Sequence, residues 1–116
     1  MWTVSPGSRP ALFVVKATIA PELEAAFNDW YDSVRATEAA RVPGCTAMRR
    51  YAPIPMEGAH AGAEPWQYMV CYEFESEEAL RAFLRSDAFR AMTKDYDARF
   101  GGAGDRARFA YRQIYP

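Results

Sequence analysis

Leu23, Phe27, Trp30, Tyr31 and Val34 recur at i, i+4, i+7, i+8 and i+11, which at ~100° per residue stacks them on one face of a helix. A stripe that wide and aromatic has to be buried, and the neighbouring residues indicate against what. Residues 11–19 (Ala-Leu-Phe-Val-Val-Lys-Ala-Thr-Ile) are β-branched and aromatic, the composition of a strand. Pro21 follows, acceptable in a first helical turn because no intrahelical N–H is lost there. The helix is expected to run to about residue 40, with Glu38 on the same stripe and Arg35 at its edge, and Pro43-Gly44 ends it.

The remaining segments repeat the theme. Residues 45–51 read as a short second strand, closed by Pro53 and Pro55, and residues 56–65, small and glycine-rich, as a surface loop. A third strand over 66–74 places Trp66, Tyr68, Val70, Tyr72 and Phe74 on one face. Ser76, followed by Glu77 and Glu78, is an N-cap with acidic residues at the positive end of the helix dipole. Leu80, Phe83 and Leu84 form that helix's stripe. Ser86-Asp87 allows a break before Phe89, Met92 and Tyr96 continue to about residue 100. Residues 107–115 alternate as a last strand. The order β-α-β-β-α-β predicts an α+β fold: a four-stranded antiparallel sheet with helices on one face, a single domain over 1–116 with 1–10 an irregular lead-in.

Two helices cover only one face of such a sheet, yet the strands are apolar on both. Leu12 and Val14 oppose Phe13, Val15, Ala17 and Ile19, and Met69 and Cys71 lie behind the aromatic face of the third strand. An apolar second face of this kind marks an interaction surface, and a homodimer through the open sheet face is the economical way to cover it. The formal net charge of −1 gives no general pull toward nucleic acid or an acidic membrane. No apolar run is long enough to span a bilayer. Cys45 and Cys71 belong to no C-x-x-C pair, and with His60 as the single histidine there is no metal set. Reduced thiols and the absence of a signal-like start predict a cytoplasmic protein.

Phe27-Asn28-Asp29-Trp30-Tyr31-Asp32, then Pro43-Gly44 and Arg49-Arg50-Tyr51, resemble the EthD-like branch of the dimeric α+β barrel (ferredoxin-like) superfamily. Those proteins carry phenylalanine, asparagine, any residue, tryptophan, tyrosine and aspartate on the first helix, a histidine three residues on, a Pro-Gly turn, and a strand ending in arginine and tyrosine. The register holds from Phe27 to Tyr51 without a gap, and the element order agrees over the rest. The resemblance implies a ferredoxin-like βαββαβ sandwich and a small-molecule pocket between helices and sheet, with no cofactor. The histidine position, however, is Arg35 here. Arginine stays protonated and cannot act as a base, but it can hold a carboxylate or enolate and stabilise developing negative charge.

Two readings follow. In the first, a cofactor-independent enzyme takes a small aromatic, polyketide-like or anionic substrate: Arg35 holds the anion, Glu38 or Asp32 moves the proton, and Trp30, Tyr31, Arg50, Tyr68 and Tyr72 bind or orient the ring. In the second, a non-catalytic dimeric binding or accessory protein keeps the scaffold without the proton shuttle. The bland roles of these residues are also open. Trp30 and Tyr31 suit the core, Asp32 suits a local pairing with Arg35, and Arg49 and Arg50 suit the guarding of an edge strand. One of those two arginines faces inward, and if it meets Glu38 or Arg35 the site gains a charge pair or an anion clamp.

Overall fold

The computed structural model describes residues 9–116; most of the expected lead-in lies outside the described residues. Four strands, β1 (Ala11–Ala17), β2 (Cys45–Tyr51), β3 (Tyr68–Phe74) and β4 (Arg106–Arg112), form one antiparallel sheet in the order β2-β3-β1-β4. The helical segments are α1 (Glu24–Trp30), α2 (Ala36–Ala39), α3 (Glu77–Leu84) and α4 (Asp87–Phe100). A 3-10 turn over Pro21–Leu23 leads into α1. The Ser76 and Ser86 hydroxyls accept the amides of Ala79 and Phe89, so each helix after β3 starts on a serine cap. Gly44 sits at φ +81°, and a Cβ there would lie 2.6 Å from that of Ala79. The turn that ends the first helical segment thus requires glycine twice over, for conformation and for its seat on α3.

Register assigns the faces. Ala11, Phe13, Val15 and Ala17 of β1 pair with Phe74, Tyr72, Val70 and Tyr68 of β3, and this row meets the helices. Phe27, almost wholly buried, is packed by Tyr31, Tyr68, Tyr96 and Phe100 at 4.9–6.3 Å between ring centroids. Burial of a ring this complete contributes roughly 1.5–3 kcal/mol. The opposite face carries Leu12, Val14, Met69, Cys71, Ala47, Phe109 and Tyr111, and no described element covers it. Phe109 and Tyr111 are 39% and 53% exposed there.

Three expectations need correcting. The strand ladder of β3 begins at Tyr68 rather than Trp66, although the Gln67 amide still donates to the Ala17 carbonyl at 3.1 Å. β4 starts at Arg106 and stops at Arg112, short of Tyr115. Its partner strand begins at Ala11, and before that stands Pro10, which accepts from the Gln113 amide but has no N–H to return.

The third correction concerns the aromatic stripe. Between α1 and α2 the chain makes a π-helical turn over Tyr31–Arg35, in which the Ala36 amide reaches back to the Tyr31 carbonyl. One wider turn advances the phase of everything after it. Val34 rotates outward to 41% exposure and Arg35, placed at the stripe's edge by even 3.6 periodicity, becomes 5% exposed. On the outer side the Ser33 hydroxyl donates to the Asp29 carbonyl (2.6 Å) and Thr37 to that of Ser33 (2.8 Å), giving carbonyls of the widened turn side-chain partners.

Candidate functional site

The π turn aims Arg35 between the helices and the sheet. Its Nη2 donates to the Met92 carbonyl at 3.0 Å, and its Cζ lies 4.5 Å from the centre of the Trp30 ring. Glu38 is the adjacent carboxylate, but Oε1 is 3.8 Å from Arg35 Nε, too far for a hydrogen bond. Arg35 Nε, Glu38 Oε1 and Trp30 Nε1 are all buried without a hydrogen-bond partner. Each such group carries a desolvation cost of ~1–3 kcal/mol.

Arg35 lines a cavity of about 30 Å³ with Tyr31, Tyr72, Tyr96, Arg106 and Arg108, walled by Phe13, Phe83, Phe89 and Met92. Its buried side is made by Tyr31, Tyr72, Tyr96 and Arg35, while Phe89, Thr93, Arg106 and Arg108 reach toward solvent. Among the described lining residues there are three guanidinium groups and no carboxylate or imidazole. The Arg106 guanidinium stands 4.2 Å over the Tyr96 ring and that of Arg108 5.0 Å over Phe89. None of the Tyr31, Tyr72 and Tyr96 hydroxyls hydrogen-bonds to a described residue. Of the three buried unpartnered atoms only Arg35 Nε belongs to a residue of this lining, and a polar space of this size suits a water or a ligand group.

Burial sets the protonation of these phenols. It raises the Tyr31 pKa, against the opposing pull of Arg35 and Arg106. It pushes Tyr96 up to about 12, with the nearby Tyr31 adding to the effect and Arg106 resisting it. Tyr72 is raised further still, by burial first and by Tyr31 second. All three are therefore neutral hydrogen-bond donors at physiological pH. Burial, and then the charge of Arg106, lower the Arg108 pKa.

The residues singled out by sequence divide between places. Arg35, Tyr31 and Tyr72 share the cavity, and Trp30 backs the Arg35 guanidinium. Glu38 lies on the far side of Arg35 and lines an outer groove of about 570 Å³ between helices, floored by Ala79, Ala82, Ala88 and Ala91. That groove is larger, and Glu38, Arg41, Glu75 and Ser86 line it beside the alanines. Asp32, Arg50 and Tyr68 form a separate cluster at the β2–β3 side of the sheet. Arg50 is the inward arginine, since it pairs with Val70 in β3. It meets neither Glu38 nor Arg35: Nη1 binds Asp32 Oδ1 at 2.9 Å and Nη2 binds Asn28 Oδ1 at 2.8 Å. Asp32 is therefore the partner of Arg50, not of Arg35. Tyr68 donates to Glu24 and accepts from Asn28, and the Arg50 guanidinium covers the Tyr31 ring at 4.9 Å. Arg49 points to the open face and pairs with Glu73 at 2.6 Å.

Tyr96, Thr93, Arg106 and Arg108 were not site candidates in the sequence. The available signal was the row Arg106, Arg108, Arg112, three arginines at period 2 on one strand, opposite the apolar Ala107, Phe109 and Tyr111. Cys45 and Cys71 are free thiols. Among the described residues no His, Cys, Asp and Glu cluster could hold a metal ion, and no helix is long and apolar enough to cross a membrane.

Fold and cavity together define a small α+β domain with an aromatic, arginine-lined pocket between its two layers. The chain belongs to the antibiotic biosynthesis monooxygenase family, whose model matches residues 10–95. The ferredoxin-like fold recurs in solved structures. An ethyl tert-butyl ether D (EthD) family protein from Bacillus halodurans aligns with a TM-score of 0.64 at 20% identity, over 91% of this chain and 99% of its own. A putative antibiotic biosynthesis monooxygenase from Nitrosomonas europaea aligns at 0.62 and 13% identity, over 100% and 98%. A dimeric protein of unknown function and ferredoxin-like fold from Bacteroides fragilis aligns at 0.58 and 13%, over 90% and 96%. No curated protein sequence gives a significant match.

Proposed function

We propose that the chain is a cofactor-independent small-molecule enzyme that takes an acidic aromatic or polyketide-like compound, as its anion, into the cavity between helices and sheet. The observation that carries this reading is the lining: three guanidinium groups and three neutral tyrosines, with no carboxylate among them. Arg35 holds the enolate or phenolate oxygen in a dry setting where its charge counts for more than in water. Tyr31 and Tyr72 flank the ring, and Trp30 fixes the plane of the guanidinium. Glu38 positions Arg35 from behind, and the Asp32–Arg50–Tyr68 cluster braces the helix that carries it.

The lining holds no base, so the substrate must be acidic enough to ionise in water before it enters, and Arg35 then holds the anion. For an anthrone-type methylene, dioxygen is the co-reactant. The two C–H bonds supply four electrons, one oxygen atom becomes the new carbonyl and the other leaves as water. At about 30 Å³ the cavity has room for a single water, so a ring enters as the half-buried Phe89 and the exposed Arg108 swing outward. A second copy covers the open sheet face, supported by the apolar residues there and by the dimeric relative. The two free thiols suit a reducing, cytoplasmic setting.

The test is oxygen uptake with a hydroxylated anthrone and no added flavin, haem or metal. Wild type should exceed Arg35→Gln by about tenfold or more, the loss expected for one oxyanion-type contact. Uptake equal to buffer, with the anthrone still bound, would sink the enzyme in favour of a binding protein, the reading that the missing base supports.

A further inference from the structure

β4 is patterned inside out. Its helix-facing positions are Arg106, Arg108, Ala110 and Arg112, set against the core residues Ala17, Val15, Phe13 and Ala11 of β1. Arg106 is half-buried and Arg108 and Arg112 are exposed, and two of these three cations have counter-ions. Arg106 Nη2 binds Asp97 at 2.8 Å, and Arg112 binds Glu77 through Nε and Nη2 at 2.8 and 3.2 Å. Arg108 forms no ion pair among the described residues: its hydrogen-bond partner is the Thr93 hydroxyl, at 3.0 Å from Nη2.

That one hydrogen bond orients both groups. Thr93 Oγ1 accepts from Arg108, which leaves the hydroxyl proton to donate elsewhere, and no described residue receives it. The planar guanidinium has further N–H groups in a fork that matches a carboxylate. Both residues line the cavity on its solvent side, across from the buried Arg35. We infer that Arg108 and Thr93 form a carboxylate clamp at the cavity mouth, and that the ligand is a doubly acidic aromatic compound: an enolate or phenolate at Arg35 and a carboxylate at Arg108. This rests on the proposed anion site and narrows its substrate class.

The test uses three nitrophenols with a common ring: 4-nitrophenol, which lacks a carboxylate, and two isomers that carry one at different distances from the hydroxyl, 2-hydroxy-5-nitrobenzoate and 5-hydroxy-2-nitrobenzoate. Affinities are read by calorimetry and phenolate absorbance at a pH below the onset of tyrosine ionisation, where 4-nitrophenol and 5-hydroxy-2-nitrobenzoate are phenolates; the 2-hydroxy isomer, whose phenol proton is held by its own carboxylate, is read by calorimetry alone. At least one carboxylated isomer should bind about tenfold more tightly than 4-nitrophenol. Arg108→Gln and Thr93→Val should each reduce that ratio toward one; both sites are at least partly exposed, so the variants should fold. A wild-type ratio near one, or a preference that survives Arg108→Gln, would overturn the clamp while 4-nitrophenol binding keeps the anion site standing. Failure of all three probes to bind would remove both.

Discussion

Arg35 Nη2 donates to the Met92 carbonyl across 3.0 Å, tying the π turn to α4 at the back of the cavity. This single hydrogen bond is modest support for a cation only 5% exposed whose nearest carboxylate stands 3.8 Å away. Replacing both members of a buried pair by apolar side chains is often neutral or stabilising by ~1–4 kcal/mol, whereas removing one partner alone is strongly destabilising. Arg35→Met alone would leave Glu38 behind with Oε1 buried, so it should lower the melting temperature, and adding Glu38→Leu should restore it, while anion affinity falls about tenfold or more in both variants. Thermal melts and phenolate titrations check the two halves separately, and a double variant no more stable than Arg35→Met would refute the pairing.

The π turn predicts opposite fates for neighbours. Val34 is 41% exposed, so Val34→Lys should change stability by no more than about 0.5 kcal/mol. An unbroken α-helix would bury that position, and the same substitution would then cost several-fold more. Urea denaturation of the variant decides between the two phases.

Arg50 joins β2 to the first helical segment through Asp32 and Asn28, and its guanidinium lies over the Tyr31 and Tyr68 rings. Arg50→Ala should cost about 1–3 kcal/mol, since it strands partly buried acceptors as well as removing packing. Asp32→Ala should cost less, because that carboxylate is largely exposed. In a double-mutant cycle the pair should couple by roughly 0.5–1 kcal/mol, and strictly additive losses would show that Asp32 contributes nothing to the Arg50 cluster.

Alkaline pH should unfold the protein earlier than acid titration of its surface pairs would suggest. Tyr96 ionises at about 12 in the folded chain, against ~10 for an ordinary tyrosine. A raised folded pKa gives stability that is fully present below pH ~10 and lost as the pH climbs through 12. Tyr31 and Tyr72 shift the same way and steepen the fall. Denaturation midpoints from pH 8 to 12 should be flat and then drop, and Tyr96→Phe should flatten the drop.

The open sheet face makes a separate prediction. Phe109→Lys places a charge among Val14, Cys71 and Tyr111 and should turn a dimer into a monomer in sedimentation at micromolar concentration, with the strand ladder intact by circular dichroism. Wild type that sediments as a monomer would remove the second copy from the proposal.

The element order was legible because each segment carries its own period and its own punctuation, from Pro21 at the head of the first helical segment to Ser76 and Ser86 at the later caps. Periodicity failed at residue 34, where the extra residue of a π turn leaves no mark except the nearby Ser33 and Thr37 hydroxyls. Two questions of facing could not be answered locally. Arg50 rather than Arg49 points inward because of its pairing with Val70, and the β4 arginines do so because Arg108 is registered against Val15. Half of the candidate site is thus a product of strand register, a long-range property. Tyr96 read as an ordinary member of a helical stripe, which it also is.

Arg108 and Phe109 are adjacent in the chain yet belong to different surfaces, one facing the cavity and the other the uncovered side of the sheet. Along β4 the even-numbered Arg106 and Arg108 line the cavity, and the odd-numbered Ala107, Phe109 and Tyr111 lie on the uncovered side of the sheet. A lineage could therefore exchange ligands by drift at the even positions, or gain and lose a partner at the odd ones, with the backbone and the other surface left as they were.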